Sequence, residues 1–158
     1  MDVAAAMDAP CDVTTLFGLV DELDGYPAWM PLAHRVESVG RDELDRPAWD
    51  VELRARVGPF ARSKRLRMVR TVHDVADATV RFERAERDGR RHSPWVLDAS
   101  VSATGEGSRL DMHLHYGGGL WTGGVMERVL ADQILAGRQR LRALAERAND
   151  GGRSTTES

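Results

Sequence analysis

The sequence predicts an α+β domain: a curved antiparallel sheet of six to seven strands wrapped around one long C-terminal helix, with two short helices after the first strand. Between residues 35 and 116, runs separated by short polar turns alternate apolar and polar side chains, the pattern of strands with one wet face. From about Thr122 to Arg147 the apolar residues recur every third or fourth position instead. At ~1.5 Å per residue that helix would be roughly 35–40 Å long, the only element able to cover the apolar face of the sheet.

Each element follows in order. Val3 to Met7 is a short apolar first strand. A helix is expected over about residues 11–23, where Val13, Leu16, Phe17 and Val20 share a face; Pro10 suits its first turn and Asp12 faces the positive end of its dipole. In "LDGYPAWMPLA" (residues 23–33), Pro27 and Pro31 bracket Trp29 and Met30, with Tyr26 just before. Proline forbids a long helix there, yet the large side chains are apolar, so the segment is a plug in the core or a lid near a cavity mouth.

After "RVESVG", the run "WDVELRARV" sets Trp49, Val51, Leu53, Ala55 and Val57 against Asp50, Glu52, Arg54 and Arg56. In "RSKRLRMVRTV", Leu66, Met68 and Val72 share a phase, and Val80 and Phe82 pair in "TVRFER". Asp88-Gly89 is the core of a turn. Trp95, Leu97, Ala99, Val101 and Ala103 then form one face, and Leu110, Met112, Leu114 and Tyr116 another, opposite Asp111, His113 and His115. The glycines of "GGGLWTGG" let the last strand turn into the helix, whose apolar positions are Met126, Leu130, Ile134, Gly137, Leu141 and Leu144. Residues 1–147 read as one domain and 148–158 as a disordered tail.

Composition narrows the function classes. The chain has 158 residues, 30% charged and 42% hydrophobic, as suits a folded domain with a real core. A net charge of -3 gives no sign of a nucleic-acid binder. A single cysteine, Cys11, fits a reducing cytoplasm, and no apolar run approaches the ~20 residues that span a membrane. Cys11 stands at a helix start, but no motif ties it to a histidine; His113 and His115 stand two apart on a wet face with no third ligand, so no metal is expected. No phosphate loop, dinucleotide fingerprint or serine nucleophile elbow occurs, and no cofactor is expected.

Two stretches, "APCDVTTLFGLVDELDGYPAWMPLAHRVESV" and "LHYGGGLWTGGVMERVLADQILAGRQRLRALAER", resemble the START-like helix-grip (SRPBCC) superfamily, in its polyketide cyclase and coenzyme Q-binding branch. With the strand order, the resemblance covers residues 3–147. It implies a mainly apolar pocket between sheet and helix for a lipid, a quinone or a polyketide-like molecule, held by a carrier or binding protein. The alternatives are an aromatase/cyclase and a regulatory interaction module. One departure is that the first helix reads "LFGLVDEL" where family members often carry a tryptophan.

The expected ligand-binding residues are Tyr26, Trp29, Met30, Trp49, Val51, Leu53, Met68, Arg70, Phe82, Trp95, Leu97, Met112, Leu114, Tyr116, Met126, Leu130 and Ile134. Arg70 shares the inward phase of Leu66 and Met68, and an inward cation needs a carboxylate or a polar ligand group, so it is the best catalytic candidate. In a cyclase, Tyr116 and His34 would assist it. Arg54, Arg56, Arg62, Lys64, Arg65 and Arg67 gather on adjacent strands. The outward ones form either a solvated face balanced by Asp50 and Glu52 or, around Arg54, Arg56, Arg65 and Arg67, a dock for an acyl carrier protein or an anionic surface.

Overall fold

In the computed structural model, residues 2–117 and 125–154 are described. The elements are β1 (Asp2–Ala9), α1 (Val13–Gly18), a 3-10 helix (Leu23–Ala28), β2 (Ala33–Arg41), β3 (Pro47–Val57), β4 (Phe60–Asp74), β5 (Thr79–Arg84), β6 (Trp95–Ala103), β7 (Ser108–Tyr116) and α2 (Val125–Ser154). Seven strands form one antiparallel sheet in the order β1-β7-β6-β5-β4-β3-β2. Consecutive strands are neighbours because short turns join them, except that β1 pairs with β7 and so brings the two ends of the sheet's sequence together.

The alternation sets the faces. Val51 stands opposite Leu66, Trp49 opposite Met68, Phe82 opposite Leu97 and Leu97 opposite Leu114, so one apolar face runs across the sheet. β1 extends it, with Val3, Ala5 and Met7 opposite Leu114, Met112 and Leu110. α2 packs against β1, β3 and α1, and its Leu141 and Ala145 are buried to 1% and 0% exposure. Gly137 lets α2 pass close to the end of the 3-10 segment: a Cβ there would stand 3.3 Å from the Trp29 carbonyl oxygen.

Five expectations are corrected. The helix expected over 11–23 stops at Gly18, where the Leu19 and Val20 N–H groups bond the Leu16 and Phe17 carbonyls in a tighter turn. Val20 and Leu23 are buried all the same, so the 3.6-residue spacing reports burial rather than a continuous helix. Pro10 precedes α1, whose N-cap is Asp12, accepting from the Thr15 N–H at 2.7 Å. A register shift between Arg70 and Val72 turns Val72 outward opposite Arg81, at 43% exposure. Asp88-Gly89 lies inside a longer connection, residues 85–94, although Gly89 does adopt φ 71°.

α2 continues to Ser154, past the boundary expected at residue 147. Most of "GGGLWTGG" and the side chains of Met126, Leu130 and Ile134 lie outside the described residues.

Candidate functional site: an apolar cavity between sheet and helix

Between the sheet's apolar face, the 3-10 segment and α2 lies a cavity of about 150 Å³. That is roughly ten times what one water needs. Its walls are Val3, Ala5 and Met7 from β1; Val51 and Leu53 from β3; Leu66 and Met68 from β4; Trp95 and Leu97 from β6; and Leu110, Met112 and Leu114 from β7. Leu23, Tyr26, Trp29, Met30 and Leu32 close one side, and α2 adds Gln133, Arg138 and Leu141.

The Pro-bracketed segment is therefore a wall of this cavity. Tyr26 and Trp29 are 3% and 2% exposed. The Tyr26 hydroxyl donates to the Val20 carbonyl at 2.8 Å, and Trp29 Nε1 donates to the Leu19 carbonyl at 3.3 Å. Both rings thus turn apolar surface to the cavity and their polar atoms to the turn after α1. Burial, with Asp21 nearby, pushes the Tyr26 phenol far up, so it stays a neutral donor.

Of the residues expected to bind a ligand, Tyr26, Trp29, Met30, Val51, Leu53, Met68, Trp95, Leu97, Met112 and Leu114 line the cavity. Trp49, Phe82, Tyr116 and Arg70 do not. Trp49 and Phe82 are buried against each other, ring centroids 5.6 Å apart, and Trp49 Nε1 donates to Asp24. Tyr116 packs on Trp95 with centroids 5.2 Å apart. Arg70 keeps the inward phase, opposite Phe82, but its Nη1 donates to the Asp21 carbonyl at 2.9 Å. His34 is exposed.

Histidines 113 and 115 both face Asp2, at 3.1 and 3.0 Å from its Oδ1. Among the described residues no group of three His, Cys, Asp or Glu has the geometry to hold a metal. Cys11 is buried beside Ser108, and burial raises its thiol pKa, opposite to what a nucleophile needs.

Sequence reasoning missed three features. The β1 wall depends on pairing with a strand some hundred residues away, which no local pattern announces. Gln133 reads as part of the polar side of α2, yet it lines the cavity and its Oε1 is buried without a partner. Lys64 groups by sequence with the outward arginines, although it shares the phase of Leu66 and Met68; that phase is the available signal. Its Nζ lies 5.6 Å from the Trp95 ring centroid. Trp95 Nε1 is the second buried atom on the cavity wall with no partner. Two of the outward arginines stand opposite carboxylates across the strands, Arg65 opposite Glu52 and Arg67 opposite Asp50, whereas Arg54 and Arg56 stand opposite Ser63 and Ala61.

Among the described residues, no helix is long and apolar enough to cross a membrane. No curated protein matches the sequence. A protein of Thermus thermophilus shares the fold at TM-score 0.67 and 18% identity, over 94% of this chain and 99% of that one. A START superfamily protein from Mycobacterium smegmatis matches at 0.67 and 15%, over 93% and 98% of the two chains. The Zhui aromatase/cyclase from Streptomyces sp. R1128 matches at 0.67 and 12%, over 93% and 94%. At such identities these likenesses establish the helix-grip fold alone. Residues 1–148 match the family described as polyketide cyclase / dehydrase and lipid transport, and the chain belongs to that family.

Proposed function

We propose that the protein binds a hydrophobic small molecule, a lipid, quinone or polyketide-like compound, in the cavity between sheet and α2, as a carrier or binding protein. One observation carries this reading: an almost wholly apolar cavity whose wall contains two buried polar atoms, Trp95 Nε1 and Gln133 Oε1, without partners. A fold stabilised only by packing gains nothing from such a gap or from such orphans, since voids forfeit dispersion contacts and buried unpaired polar groups cost free energy. A ligand would supply both.

Cyclisation of a poly-ketone chain is the competing reading, suggested by the aromatase/cyclase neighbour. It calls for acid/base groups facing the cavity, whereas Arg70 donates to a backbone carbonyl, Tyr116 packs behind Trp95 and His34 is exposed. That favours binding over chemistry. Docking on an acyl carrier protein or an anionic surface through Arg54, Arg56, Arg65 and Arg67 has less support, because Glu52 and Asp50 already face Arg65 and Arg67.

The test is to fill the space. Ala5→Phe places a benzyl group in the cavity from β1, and the variant is expected to lose binding of an apolar fluorophore such as N-phenylnaphthylamine at least tenfold while keeping its circular dichroism spectrum. Equal binding by wild type and the folded variant rejects the cavity as the site.

A further inference from the structure

β5 is short and ends at Arg84, whereas β4 starts at Phe60 and extends well past it. At this open end the inward phase of β4 carries Lys64, one inward position beyond Leu66, and Lys64 reaches across to the Trp95 ring. Lys64 is the only lysine in the chain. It is partly buried, and among the described residues no carboxylate pairs with it. The charged groups nearby offer nothing: Arg84 adds a second cation, and its guanidinium already bonds Glu86, Ser93 and His92. Burial first, then Arg84, holds the Lys64 ammonium below its ordinary pKa.

The ring beneath Lys64 belongs to the cavity wall, and its buried Nε1 has no acceptor. The Trp95 ring thus carries an unpartnered N–H donor on the cavity wall and, 5.6 Å from its centroid, the Lys64 ammonium, which stands beside the lining residues rather than among them. A ligand hydroxyl would satisfy Trp95 but leave the charge of Lys64 uncompensated. A carboxylate satisfies both, since its two oxygens accept from different donors. Gln133 does not discriminate, because its amide donates or accepts after a flip.

We infer that the ligand is an amphipathic acid whose carboxylate accepts from Trp95 Nε1 and pairs with Lys64, while its apolar body fills the space toward Met112, Leu114 and α2. This rests on the reading that the cavity holds a ligand.

The probes are octanoic acid and octanol, compared by calorimetric titration at neutral pH, where the acid is ionised. Wild type is expected to prefer octanoate about tenfold or more, the scale of a charge-assisted hydrogen bond. Lys64→Met should collapse that preference and Lys64→Arg should retain it. Trp95→Phe, which keeps a ring under Lys64 and removes the N–H, should weaken octanoate several-fold without lowering the Tm. Equal affinity of wild type for acid and alcohol, or an undiminished preference in Lys64→Met, overturns the anion site alone. Failure of both probes to bind counts against the cavity as a ligand site and takes this inference with it.

Discussion

Tyr26 and Trp29 illustrate how single residues set the character of this molecule: each directs its polar atom to a carbonyl after α1 and leaves only ring surface to the cavity. Asp42, at the β2–β3 turn, shows the electrostatic counterpart. The Arg46 guanidinium, together with the Arg46 and Leu44 N–H groups, holds its carboxyl down to about 2. A depressed folded-state pKa contributes stability above the unfolded value, ~4, and that contribution is lost as pH falls through the folded value. Asp42→Asn is therefore expected to lower the Tm at neutral pH, and thermal melts should show the gap to wild type closing as pH drops from about 4 toward 2. A gap of constant size across that range would mean that the charge of Asp42 contributes nothing.

Elements are held in place by contacts that cross between them. β4 anchors the turn after α1 twice, through Arg70 Nη1 to the Asp21 carbonyl and through His73 Nε2, 3.1 Å from the Asp21 carboxylate. This explains why a cation shares the phase of Leu66 and Met68: it ties the wall carrying Tyr26 and Trp29 to the sheet. Arg70→Met is expected to cost about 1–2 kcal/mol, discounted for partial exposure. That corresponds to a Tm drop of about 2–8 °C in a chain of this size. Affinity for an apolar ligand should change less than twofold; a large affinity loss at unchanged Tm would return Arg70 to the ligand. The β6–β7 turn depends on a different constraint. A Cβ on Gly107 would stand 2.2 Å from the Ala9 carbonyl oxygen, so the close approach of this turn to the end of β1 requires glycine.

At the scale of the whole molecule, sheet and helix enclose a space that side chains leave open. A ligand that binds the folded state alone stabilises it, by ~2.7 kcal/mol at a hundredfold excess over Kd. Titrating octanoate to that excess should accordingly raise the Tm by about 5–10 °C. Saturable binding with no rise in Tm would mean that the unfolded chain binds as well, and the cavity would not be the site.

The sheet was legible because a period of two marks a half-buried strand wherever it occurs: spacing alone assigns Val51, Leu53, Leu97 and Met112 to the inner face, and all four line the cavity. The family was legible from two stretches, residues 9–39 and 114–147, and residues 1–148 match it. What spacing could not reveal was anything produced by one extra residue or by a distant partner. The bulge after Arg70 reverses Val72, the pairing of β1 with β7 supplies a wall, and the early end of β5 opens the gap in which Lys64 meets Trp95. Periodicity records whether a side chain faces the core. Which atoms then meet, and which polar atoms are left without partners, depends on strand register and strand length, and those are settled only when all seven strands and the helix pack together.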